Sequence, residues 1–272
     1  MELFITPAIG VVIGLVLGLT GAGGSVFAVP LLIILLQLPM QQAAGIALAA
    51  VAASALYGSL RHRGNRRILW VPALVLGAGG VISAPLGQWL AQRLPETALL
   101  IGFNVLALVI AARMYLSALH SPDQTKVTRA NPGDYSLQGP LCRLSPSGQF
   151  QLRPHCMAGL ALGGLLVGLL SGLFGVGGGF LIVPLLLFLS RIGMAQAVAT
   201  SLVIIAVISS AGFISYWQMG GALDVSMLGQ IAAGGIAGMM LGQWVSGKIN
   251  HVVKQKVFAV SLVAVSIVSL FS

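Results

Sequence analysis

Two stretches of this chain hold residues spaced for chemistry as well as packing: GLTGAGGSVFAVPLL, Gly18 to Leu32, and GLFGVGGGFLIVPLL, Gly172 to Leu186. Gly21, Gly23 and Gly24 cluster in the first, and Gly175, Gly177, Gly178 and Gly179 in the second. A helix that starts inside a membrane leaves its first N–H groups unpaired and points its positive dipole end at whatever lies ahead. Such an end attracts anions. Glycine lets backbone approach a ligand closely and permits φ > 0 where the chain reverses. Pro30 and Pro184 fall about two turns further on, where the ring kinks a helix and frees a carbonyl. Ser25, Thr200 and Ser201 add hydroxyl donors near the breaks, and Gln88 and Gln243 add amides. The chemistry these types support is non-covalent capture of a small anion. The competing reading is close helix packing, which membrane glycines often serve, and the chain has 36 of them. A glycine of that kind, such as Gly14, is expected to tolerate alanine better than a break glycine tolerates leucine.

Other chemistries lack their residues. The five acids, Glu2, Glu96, Asp123, Asp134 and Asp224, are read as lying in termini or loops, and no apolar segment holds an interior carboxylate or histidine. A carboxylate proton relay is therefore missing. GAGGSV and GVGGGF do not spell a dinucleotide loop, and no P-loop, HExxH, CxxC or nucleophile elbow occurs. No enzyme activity, metal or cofactor is expected. Membrane potential remains as a drive, worth about 2.3 kcal/mol per elementary charge per 100 mV.

The elements that must position these residues are membrane helices. Of 272 residues, 57% are hydrophobic and 7% charged, against about 25% charged in a soluble domain. The apolar runs are continuous and exceed the ~20 residues needed to cross a bilayer, which argues against a β-barrel. The net charge of +9 sits in a few short loops, as expected beside cytoplasm and anionic lipid, and signals no nucleic-acid partner. The N-terminus lacks the basic region of a signal peptide.

The chain reads as two copies of one unit. Between 14–32 and 168–186, 11 of 19 positions are identical, and GGVISAPLGQWL (79–90) matches GGIAGMMLGQWV (234–245). Each copy divides into five apolar segments: 3–19, 25–37, 41–60, 68–91 and 97–119, then 156–173, 179–190, 195–217, 225–247 and 254–271. The second of each is too short to span an untilted bilayer. Arg61, Arg63, Arg66 and Arg67 place the loop after the third segment in the cytoplasm, while its counterpart, 218–224, has no Lys or Arg. Lys248, Lys254 and Lys256 place a non-equivalent loop of the second copy inside as well. The expected architecture is therefore an all-α polytopic membrane protein of two inverted repeats, each a glycine-broken helical hairpin plus three transmembrane helices. Residues 1–119 form the first repeat, 120–155 a cytoplasmic linker loop, and 156–272 the second repeat. Cys142 and Cys156, in or beside that linker, are expected to be reduced.

The glycine stretches, together with AVATSL at 197–202, resemble the sulfite exporter TauE/SafE family of membrane transporters. The resemblance covers nearly the whole chain outside the central loop. It implies movement of small sulfur-containing or related organic anions across the bacterial inner membrane. The first copy has AGIAL at 44–48 where the second has ATS at 199–201, so hydroxyl ligands there are asymmetric.

Among the remaining polar residues, Trp89 and Trp244 are expected as interfacial anchors, Asn104 as packing glue, and Arg113 as a snorkelling cation. Partners are a small anion and the lipid bilayer, and a homo-oligomer is compatible with the sequence. Three readings stay open: an exporter working by alternating access with its site at the two breaks, an anion channel with the same lining, and a non-transporting scaffold subunit.

Overall fold

A computed structural model describes residues 2–21, 24–62, 68–120, 154–189, 192, 194–221 and 224–246, with side chains left out for some of them near the ends of α1, α3 and α5 and at a few positions of α6–α8. Gly23, the Arg113 side chain, the linker, the basic loops after α3 and at 248–256, and the segment 254–271 lie outside this description.

The described residues form α1 (Glu2–Thr20), α2 (Ser25–Leu36), α3 (Met40–His62), α4 (Trp70–Arg93), α5 (Glu96–His120), α6 (Pro154–Phe174), α7 (Gly179–Leu189), α8 (Met194–Gln218) and α9 (Val225–Ser246). Five of them, α3, α4, α6, α8 and α9, contain stretches long and apolar enough to cross a membrane. At 1.5 Å per residue, α2 and α7 reach roughly half that distance.

Local signals explain several boundaries. Asp224 caps α9: its Oδ1 accepts from the N–H groups of Ser226 (2.9 Å) and Met227 (3.3 Å). Glu96, read from sequence as a loop residue, instead opens α5, and its Oε1 accepts the Met40 N–H at 2.7 Å, which ties the start of α3 to the start of α5. α2 ends at Gln37 in the left-handed region (φ 54°), a common helix stop. α2 and α7 both continue through their prolines.

The helices pack through glycine. Gly10, Gly14 and Gly18 of α1 lie against the backbone at Ile231, Gly235 and Met239 of α9. Gly164, Gly168 and Gly172 of α6 lie in the same way against Leu76, Gly80 and Ala84 of α4. Both registers climb together, so each pair is parallel. A shift of 154 or 155 residues carries one set of contacts onto the other. Among the described helices these are also the two most extensively packed pairs. With backbones this close, packing and lipid exclusion hold the helices together. The contact at Gly14 is tight: a Cβ there would run into the Gly235 carbonyl.

α3 and α8 cross the centre in opposite directions, with Gly45 against Tyr216, Leu48 against Gly212 and Gly58 against Leu202. α9 runs parallel to α3, through Gly235 against Ser54 and Met239 against Gly58. α4 runs parallel to α8, through Leu69 at Thr200 and Gly80 at Ile208. Thus α1, α3 and α9 point one way, and α4, α6 and α8 the other. Outward faces are apolar: Leu74, Ile82 and Leu86 of α4 and Leu162 and Leu166 of α6 are more than half exposed. A soluble monomer rarely shows such faces, whereas hydrocarbon is their natural solvent.

Cys156 is disulfide-bonded, which corrects the expectation of a reduced pair. Cys142, the chain's other cysteine, lies outside the described residues.

Candidate functional site

Both first helices end alike. The Gly21 N–H donates to the Leu17 carbonyl (2.7 Å) and the Gly175 N–H to the Ser171 carbonyl (2.9 Å). Each glycine then takes a positive φ, 76° and 70°, where a side chain would be strained. Each packs against the other copy: Gly21 against Val198 near the start of α8, and Gly175 against Ala44 near the start of α3.

Beyond that point the breaks differ. Gly177 and Gly178 also have positive φ, 69° and 65°. Gly24, the counterpart of Gly178, is right-handed at φ −62°. Gly24 folds back onto Leu17 of α1, and Gly178 onto Val167 of α6. Gly177 is wedged between the two central helices. A Cβ placed on it would lie 2.5 Å from Ser209 Oγ and 3.0 Å from Val51 Cγ1. Val51 stands midway along α3, so this break reaches the middle of the bundle. Gly179 is the first residue of α7. The Gly178 carbonyl accepts from the N–H groups of Leu181 (3.1 Å) and Ile182 (3.3 Å), which starts the helix there. α7 then runs back along α6, with Leu185 at Gly163 and Leu189 at Gly159, and α2 and α7 touch each other.

The hydroxyls anticipated from sequence fall in different places. Ser25, fully buried, opens α2 at the first break. Ser201 Oγ donates to the carbonyls of Gly21 (3.2 Å) and Val198 (2.9 Å), so a hydroxyl of the second copy closes on the break of the first. Thr200 is turned elsewhere: its Oγ1 accepts the Leu69 N–H at 3.0 Å, just before α4. Gln88 and Gln243 occupy matched sites beside the ends of α6 and α1, their backbone nitrogens facing Gly172 and Gly18. Gln88 is 2% exposed and lines a cavity of ≈ 10 Å³ with Ala44 and Gly172, room for about one water. Its Oε1 has no hydrogen-bond partner, and neither amide atom of Gln243 has one. Pro30 is buried within α2, whereas Pro184 is exposed on α7.

Two residues escaped the sequence reading. Ser171 and Ser209 are fully buried, and their hydroxyls have no partner. Helical hydroxyls usually bond the carbonyl one turn back, as Ser54, Ser83 and Ser210 do here at 2.7–3.0 Å. An unsatisfied buried hydroxyl costs roughly 1–3 kcal/mol. The signal was present in the alignment of the copies, because Ser171 stands opposite Leu17 and Ser209 opposite Ala55. Asn104 bonds its own helix, Nδ2 donating to the Leu100 carbonyl at 3.0 Å, so it glues no second helix there. Trp89 and Trp244 are exposed, and the Arg93 guanidinium lies 3.7 Å over the Trp89 ring. No cluster of His, Cys, Asp or Glu able to hold a metal occurs among the described residues.

A bundle with lipid-suited outer faces, spanning helices and two half-length helices folding back into it is a multi-pass membrane protein. The family model for the sulfite exporter TauE/SafE matches residues 7–269, and the chain belongs to that family of membrane transporters; it is not an enzyme. It is 27% identical to a "Probable membrane transporter protein" of Xylella fastidiosa (strain 9a5c), over 98% of this chain and 94% of the relative. It is 24% identical to the "Probable membrane transporter protein YunE" of Bacillus subtilis (strain 168), over 97% and 93%. The "Probable membrane transporter protein MJ0441" of Methanocaldococcus jannaschii is 25% identical over 76% of this chain and 70% of its own. No solved structure matches.

Proposed function

We propose that the chain exports a small sulfur-containing or organic anion, sulfite-like in size, across a bacterial inner membrane by alternating access. The substrate sits where the two glycine breaks meet the central helices, and the two copies act as inverted repeats around it. The observation that carries this reading is Gly177, lodged between α3 and α8 midway along the bundle at the start of a short helix. Transporters with broken helices hold their substrates at such points. The inverted relation draws support from the opposed directions of α3 and α8, which are matched helices, and from the exchange of partners in the α1–α9 and α4–α6 pairs. The family's description as sulfite exporters supports the substrate class.

The test is flux of labelled sulfite, thiosulfate, sulfate and methanesulfonate in proteoliposomes, with a potassium–valinomycin potential and equal pH on both sides. An imposed voltage should drive the anion toward the positive compartment. Unlabelled anion on the far side should accelerate exchange. Voltage-driven flux without this counterflow defines a channel, and no flux from correctly inserted protein defines a scaffold. Gly177→Leu should insert and fail to transport, because leucine fills the space at Ser209 and opposes the positive φ.

A further inference from the structure

The two breaks differ in the hydroxyls around them. At the first, Ser201 is bonded to the Gly21 and Val198 carbonyls. Ser25 is also engaged. At the second, Ser209 Oγ is the atom nearest to the free side of Gly177, and Ser171 lies beside Gly178, its Cβ 3.6 Å from where a Gly178 Cβ would stand. Both serines are 0% exposed, and both hydroxyls lack a partner. They come from different helices, α6 and α8, and flank consecutive glycines ahead of the eleven-residue α7. The equivalent positions of the first copy hold Leu17 and Ala55, which have no donor to offer.

We propose that anion binding is one-sided: the Ser171 and Ser209 hydroxyls, with the N-terminal N–H groups of α7, form the oxyanion site at the second break. The first break is its packing counterpart. This rests on the transport reading above and narrows it to one of the two breaks. Two hydroxyls and a helix end are neutral donors that match an anion with several oxygens. They hold it without a cation, so it is also released, as a transporter requires. The unpartnered hydroxyls are the donors kept for that ligand. The back-bonded Ser210, next in sequence to Ser209, has its donor occupied by the Ala206 carbonyl at 2.7 Å.

The experiment uses the purified full-length protein and titrates sulfite, thiosulfate, sulfate and methanesulfonate by the shift in unfolding midpoint, which rises with ligand bound to the folded state. Half-saturation of flux is read in parallel. Ser171→Ala and Ser209→Ala should each raise the half-saturating concentration by about tenfold or more, since each removes a hydrogen bond to a charged group. Ser210→Ala should titrate as wild type. Without ligand, the two alanine variants should melt no lower than wild type, because each removes a hydroxyl that bonds nothing. Half-saturation unchanged in the double variant overturns the proposal, whatever happens to the midpoint. An equal loss in Ser210→Ala overturns it also. If the double variant is wild-type while Gly177→Leu stops flux, the one-sided site fails and the transport reading survives. If both variants transport normally, or no probe stabilises wild type, both fall.

Discussion

Glycine serves two separate purposes in this chain, and composition does not distinguish them. At Gly21, Gly175, Gly177 and Gly178 it supplies a positive φ. At Gly10, Gly14, Gly18 and their counterparts in α6 it is helical and removes the atom that would hold two backbones apart. Gly14→Ala should therefore destabilise the protein by about 1–3 kcal/mol, the usual cost of overpacking. Gly229→Ala on α9, where nothing lies within 4 Å, should melt like wild type in detergent. Equal midpoints for the two would remove the α1–α9 contact from the account. The breaks were legible in sequence, since clustered glycines twice precede a short apolar run and a proline. The packing role of Gly14 was legible too, but its tightness was not, because a close approach depends on the partner helix. Ser171 and Ser209 were overlooked for a related reason: a hydroxyl's own sequence does not reveal whether the carbonyl behind it will accept its proton. Thr200 differs again: its oxygen accepts the Leu69 N–H from outside its own helix.

At the scale of elements, hydropathy located the described helices to within two residues or so, because a membrane solvent enforces long apolar runs. The half-length α2 and α7 were legible for the same reason, with the predicted 25–37 and 179–190 found at Ser25–Leu36 and Gly179–Leu189. Caps that depend on one side chain were less visible. Asp224 read as a loop acid, yet its carboxylate takes two of the four N–H groups that open α9. Asp224→Ala should cost about 1 kcal/mol and Asp224→Asn much less, measured as unfolding midpoints of the purified protein. An alanine variant as stable as wild type would show that water replaces the cap without loss.

For the whole molecule, the parallel run of α3 and α9 brings their C-terminal ends to one side, and basic residues mark both: Arg61 in the last turn of α3 with Arg63, Arg66 and Arg67 after it, and Lys248, Lys254 and Lys256 after α9. Positive loops stay in the cytoplasm. Cysteines introduced as Asn65→Cys and His251→Cys should therefore react with an impermeant thiol reagent from the same side, only after the membrane is opened. Labelling of one in intact cells would break the proposed inverted arrangement. Helix directions followed from the loop charges because a bilayer has two distinguishable sides. The swapped partnership of α1 with α9 and α6 with α4 did not, since charge says nothing about neighbours within the plane.

That swap has a consequence for how the molecule is put together. Each copy keeps its first helix in the other copy's keeping, so neither half of the sequence encloses its own glycine seams. Synthesised alone, residues 1–135 would display the α1 seam to lipid and find nothing to fill it. Co-expressed with 136–272 as a separate chain, the same fragment should recover α9 as its neighbour and return flux to the membrane. Under the proposed inverted-repeat reading, a single unit able to insert both ways round would form this arrangement as a homodimer.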